Sequence, residues 1–171
     1  MRSNKKINKI VVILLFITFY CFQLFAQNNL SARTSGSGYI VGGLGIASGM
    51  NLGLRLNSTN NSSIYLTYGE FLFEDMFNVK SKIITLGHNY FKDPEKSTSG
   101  FANISLSYLR GQSTNPGSSY DDFLISPNIG YDYLLGRVSC FMKMGFIGIV
   151  SAAAKPKTGI NFEFGFAQEI W

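Results

Sequence analysis

The chain is short of the residues from which metal sites and nucleophilic active sites are built. Its 171 residues include one histidine, two cysteines, one tryptophan and four prolines. A metal centre needs three or four clustered ligands, and a hydroxyl nucleophile needs a placed base. His88 stands alone for both purposes, with Asn89 directly after it and no Ser-Asn pair shortly beyond. We therefore expect no metal, no cofactor and no catalytic residue. Charge is scarce too, with Asp, Glu, Lys and Arg making 15% of the chain. Beyond residue 26 no stretch carries the 3.6-residue period of an amphipathic helix, and no repeat of the solenoid kind is visible.

The one long apolar run is at the start. Arg2, Lys5, Lys6 and Lys9 precede Ile10 to Phe25, and Ala26 follows. A basic segment, an apolar segment and a small residue make a secretory signal peptide, expected over residues 1–26. Phe19 and Tyr20 before Cys21 are too bulky for a lipidation site. Removing this peptide leaves eleven basic against ten acidic residues, a net charge of +1. The basic character thus belongs to the discarded segment, and nucleic-acid binding loses its support. Cys140 is the one cysteine left, so no internal disulfide can form.

What remains alternates. Residues 27–38, rich in Ser, Asn and Gly, read as a flexible leader, and residues 39–171 as a single domain of short two-faced segments. The last is the clearest: Ile160, Phe162, Phe164, Phe166 and Ile170 fall on every second residue, with Asn161, Glu163, Gly165 and Ala167 between. Period two is the period of a strand. Met50 to Leu56, Ile64 to Tyr68, Ile84 to Tyr90, Ala102 to Tyr108, Phe123 to Tyr133 and Val138 to Phe146 repeat it, and Tyr39 to Ala47 does so in a glycine-rich form. That makes eight strands. Ser48-Gly49 and Leu135-Gly136-Arg137 read as tight turns. Asn57 to Ser63, Phe91 to Gly100, Gly111 to Asp122 (the longest) and Ala152 to Thr158 read as loops, and Pro127 suggests a bulge, because proline removes a ladder donor.

The fold class expected is all-β, an eight-stranded antiparallel up-and-down transmembrane β-barrel. Eight strands close without leaving an edge. The polar faces carry few charges, Arg55, Asp132, Lys143, Glu163 and Glu169, too few to coat a surface in water. They suit an interior narrow enough to be filled by side chains. Arg55, Asp132, Lys143 and Glu163 are therefore expected to pair inside the barrel, because isolated buried charges are costly. The apolar faces end in Tyr and Phe, as in the girdles of membrane barrels. His88, in phase with Ile84, Leu86 and Tyr90, is expected on the lipid side near an interface.

This pattern resembles the small outer-membrane barrels typified by the OmpA transmembrane domain and OmpX, over nearly the whole mature chain. The resemblance implies outer-membrane lipid as surroundings and an assembly signal read by the barrel-assembly machinery. Phe162, Phe164, Phe166 and terminal Trp171 look like that signal, with Trp171 out of phase, so that either a bulge intervenes before it or the signal is imperfect. Short inner turns and long outer loops are also implied, and Asn57 to Ser63 and Phe91 to Gly100 are long for inner turns. A fainter similarity to the TraO proteins of conjugative transposons rests on Tyr65, Tyr68-Gly69, Gly87 to Phe91, Asp122-Phe123 and Lys157 to Phe162, and implies a role in a conjugation apparatus.

Loops carry function more often than walls. Glu70, Phe71, Phe73, Glu74 and Asp75, with Tyr120 and Asp121, are the candidates for contact with an envelope protein partner. The reading is a structural or adhesive barrel without enzymatic activity. A conjugation component, a lipid-modifying barrel enzyme and a soluble lipocalin-like binder are its alternatives.

Overall fold

A computed structural model of the chain describes residues 32–70, 79–113, 119–151 and 157–171. Eight strands follow one another: β1 (Gly38–Gly45), β2 (Gly49–Thr59), β3 (Ser62–Glu70), β4 (Val79–Phe91), β5 (Thr98–Ser113), β6 (Ser119–Leu135), β7 (Val138–Ser151) and β8 (Lys157–Glu169). Each pairs with its neighbour in sequence, and β1 pairs antiparallel with β8 from Tyr39↔Glu169 to Gly45↔Glu163, so the sheet closes. No edge is left to template aggregation.

The alternation seen in the sequence sorts every strand into two faces. Inward positions are small or polar: Asn51, Arg55 and Asn57 on β2, Ser63 and Thr67 on β3, Thr85 and Asn89 on β4, Asn103 to Ser107 at every second residue of β5, all buried. Outward positions are large and apolar: Leu52 is 61% exposed, Ile129 68% and Ile160 71%. A protein folded in water puts these classes the other way round.

Several boundaries differ from the sequence reading. Asn57 to Ser63 is not a loop, because β2 runs to Thr59 and β3 starts at Ser62, leaving Asn60-Asn61 as the turn. Asn57 and Ser63 are polar because they face the interior, where they are 1% and 0% exposed. Polarity that marks a loop in a water-soluble protein marks an inward strand position here. The Phe91 to Gly100 loop likewise shrinks to residues 92–97, and within Gly111 to Asp122 the strands β5 and β6 take in Gly111 to Ser113 and Ser119 to Asp122. The first hairpin turns at residues 46–48, and Gly49, with φ of 62°, opens β2.

The bulge expected at Pro127 is absent. Register with β7 is the same on both sides, Ile125↔Gly148 and Asn128↔Gly145, and only the two intervening residues drop out of the ladder. Pairing with β5 passes through Ile104↔Pro127 without interruption. The missing N–H is thus absorbed as a gap toward one neighbour. Turns 60–61, 92–97 and 136–137 lie at the end of the barrel where β1 starts and β8 ends, and the turn 46–48 lies at the other. Asn57 to Ser63 is therefore no longer long for an inner turn, while 92–97 still is, and the first turn at the opposite end, 46–48, is short.

Candidate functional site

The four charges expected inside are all there, buried to 5% exposure or less. They form two groups. In the first, Asp132 on β6 stands between two guanidinium groups. Arg55 on β2 brings Nη1 to 3.6 Å from Asp132 Oδ2, and Arg33, from the segment before β1, brings Nη2 to 3.2 Å. Arg33 also donates to the backbone oxygens of Asp132 (3.1 Å) and Lys96 (2.9 Å) and lies 4.7 Å over the Phe91 ring. Arg55 donates to Ser139 Oγ at 3.2 Å and sits 4.4 Å over the Tyr39 ring. Planar guanidinium forks stack and donate at once, which suits them to a crowded interior.

Sequence reasoning missed Arg33. Its neighbours Ala32, Thr34, Ser35 and Gly36 put it in a stretch read as leader, yet it is 2% exposed. Charge balance gave no signal for it, since Arg55 and Lys143 already match Asp132 and Glu163.

In the second group Lys143 and Glu163 stand directly opposite on β7 and β8, 3.2 Å apart. Lys143 Nζ donates to the Tyr65 hydroxyl at 2.8 Å, and Glu163 accepts from Ser48 Oγ at 2.8 Å. The Tyr65 ring reaches this place because Gly87 on β4 has no side chain; a Cβ there would stand 2.1 Å from the ring.

A ladder of side-chain amides runs around the wall beside these groups. Asn89 donates to Ser63 Oγ, Asn103 to Asn89, Asn128 to Asn103, and Asn161 to Asn128, the last three at 2.8 Å. Asn161 Oδ1 then accepts the Ala47 N–H at 3.2 Å, tying β3, β4, β5, β6 and β8 to the first turn. On β7 the ladder crosses Gly145, where a Cβ would meet the Pro127 oxygen at 2.1 Å and Asn128 Oδ1 at 2.8 Å. Each asparagine fills the inward position where its strand meets the next, so buried amides are satisfied by one another.

Between the two charged groups lies a cavity lined by Arg55, Tyr65, Asp132, Lys143 and Glu163 among others. Among the described residues no group of His, Cys, Asp and Glu is arranged to hold a metal ion. His88 is exposed on the outward face of β4, and its Nε2 lies 2.7 Å from Ser62 Oγ. Ser62 in turn meets Ser58 Oγ at 3.0 Å. Among the described residues no carboxylate hydrogen-bonds this pair to orient the imidazole, as a Ser-His hydrolase requires.

The rim residues are dispersed. Glu70 ends β3 opposite Lys82. Tyr120 and Asp121, expected in a loop, are in β6, opposite Gly111 and Arg110. Asp121 accepts from the Tyr108 hydroxyl at 2.9 Å and lies 3.9 Å from Arg110 Nε. Phe71, Phe73, Glu74 and Asp75 lie outside the described residues. At the closing strand Phe162 and Phe164 face outward, and Phe166 packs on Gly42 of β1. Trp171 needs no bulge: β8 keeps one register throughout with both neighbours and ends at Glu169. Beyond the strand its period no longer governs, and the indole lies outside, against Gly38, whose N–H donates to the Trp171 oxygen at 3.1 Å.

No protein-family model matches the chain, and no curated protein matches it in sequence. Among solved structures, the N-terminal β-barrel domain of Pseudomonas aeruginosa OprF superposes with a TM-score of 0.55 at 14% identity, over 82% of this chain and 100% of that one. Ail, the attachment invasion locus protein of Yersinia pestis, gives 0.42 at 11% identity, over 80% of this chain and 100% of its own. Closure, strand number and the OprF match together give the chain the fold of the small eight-stranded outer-membrane barrels, the OmpA- and OmpX-like architecture its alternation pointed to.

Proposed function

We propose that this protein is exported by residues 1–26 and inserted into the outer membrane as a plugged barrel, where it has a structural, adhesive or partner-binding role through its loop end. The observation that carries the reading is the inverted polarity of the wall: charges and amides inside, Leu, Ile, Met and Phe outside. Water gives no reason for that arrangement, and lipid requires it. The outward face also has aromatic residues toward both ends, Tyr68, Tyr108 and Phe123 near the loops and Tyr90, Tyr131, Tyr133 and Trp171 near the termini, as a girdle does. Outward charges on the strands, such as Lys82, Arg110 and Asp121, stand next to the connections.

On this reading Phe162, Phe164, Phe166 and Trp171 are offered to the assembly machinery, and the connection 71–78 with the β5–β6 hairpin meets the partner. The interior stays shut, since an eight-stranded barrel filled by side chains has no channel. Cell fractionation followed by gel migration with and without heating tests the insertion. Sedimentation with outer membranes and a heat-modifiable band are expected. Recovery as a soluble periplasmic protein would overturn the proposal, and a reproducible single-channel current from purified protein would overturn the plug.

A further inference from the structure

We propose that the cavity between the two charged groups is a binding site for one small monovalent anion of halide size. The first ground is charge. Arg33, Arg55 and Lys143 are buried against two buried carboxylates, Asp132 and Glu163. Glu163 balances Lys143, and one carboxylate is shared by two arginines, so a positive charge is left over in the Asp132 group. Two further inward-phase carboxylates, Glu169 at the terminal rim and Asp122 near the opposite one, are partly exposed and form no ion pair with Arg33, Arg55 or Lys143. An uncompensated charge in a low-dielectric interior is costly and calls for a counter-charge.

The second ground is a set of free donors on the same cavity. Arg55 Nε is buried without a hydrogen-bond partner. The Tyr65 hydroxyl accepts from both Lys143 and Asn103, which leaves its own proton to give. Lys143 has three protons and uses two, on Tyr65 and Glu163. Arg55, Tyr65 and Lys143 all line the cavity.

The third ground is size. About 20 Å³ of the cavity can hold the centre of a water-sized particle, room for one such particle and not for a sulfate or phosphate. Water is the rival occupant. Asp132 Oδ1 is also buried without a partner, and a water bridging it to Arg55 Nε would satisfy both atoms while leaving the charge unbalanced. A halide on the Arg55, Tyr65 and Lys143 side balances it.

Crystals of the refolded mature chain grown in bromide test this directly. An anomalous peak within hydrogen-bonding distance of Arg55 Nε is expected. A water there with no bromide, or bromide at the protein surface alone as an adventitious ion only, would overturn the proposal. In solution, unfolding in detergent is compared in chloride and in gluconate at equal ionic strength. The folded-to-unfolded ratio is expected to rise about tenfold for each tenfold increase in chloride above its dissociation constant. Arg33→Gln removes the surplus charge and is expected to abolish that dependence. Should it fail to fold, Tyr65→Phe keeps the ring, removes one donor, and is expected to lower bromide occupancy. Stability indifferent to the halide in the native chain contradicts the site.

Discussion

Two kinds of ion pair coexist in this barrel. Asp132 with Arg33 and Arg55, and Glu163 with Lys143, have side chains exposed by 6% or less. Asp93 with Lys96, and Asp121 with Arg110, are open to solvent at the ends, with side chains 39% to 71% exposed. The chemistry is the same and the surroundings differ. Inside, each charge has lost its water and depends on its partner and on further hydrogen bonds; outside, water screens both members. The interior pairs are therefore costly to break singly, and the rim pairs are free to vary.

The largest effect is expected from Asp132→Ala, which leaves two guanidinium groups buried together. A loss of about 3–5 kcal/mol is predicted from the cost of breaking a buried pair, measured by urea unfolding in detergent or vesicles. Lys143→Met alone should be damaging in the same way, and Lys143→Met with Glu163→Leu less so, because removing both partners strands neither. If the double variant is the worse of the two, the pair is not an isolated unit.

Carrying the comparison across the wall, Leu66→Arg places a charge on the outward face of β3, opposite Leu54 and Leu86. In lipid it is expected to cost about 2–4 kcal/mol. A neutral result would mean that water covers this face. Gly145→Ala, which pushes a methyl group into the Pro127 oxygen and the amide ladder, is expected to cost about 1–3 kcal/mol as overpacking, read in the same unfolding assay. Asp121→Ala at the rim should change stability by under about 1 kcal/mol. A larger loss there would erase the distinction between buried and exposed pairs.

The strands were legible because outward apolar and interior residues alternate without exception over segments such as Met50 to Leu56 and Ile160 to Phe166. Phase put Arg55, Asp132, Lys143 and Glu163 on the polar faces, and the scarcity of charge on those faces turned them to the inside. How they divide into two groups was not legible, since it depends on the stagger of strands far apart in sequence. Arg33 was hidden for another reason: its segment has no period, and only the closed barrel offers it Asp132 and Phe91. Turn lengths were misjudged at Asn57 to Ser63 because loop composition and interior composition are the same letters. Pro127 misled because a single missing donor can be left as a gap without a shift in register.

Insertion in the outer membrane requires that the apolar side of the wall meet lipid. The direct measurement replaces Cys140 by serine, introduces single cysteines at the neighbouring positions Leu66 and Thr67, and probes spin labels at each with lipid-soluble oxygen and a water-soluble relaxant in vesicles. Oxygen is predicted to reach the label at Leu66 far better than the one at Thr67, with the aqueous reagent reaching neither well. A label at Leu66 open to the aqueous reagent and closed to oxygen would contradict the account.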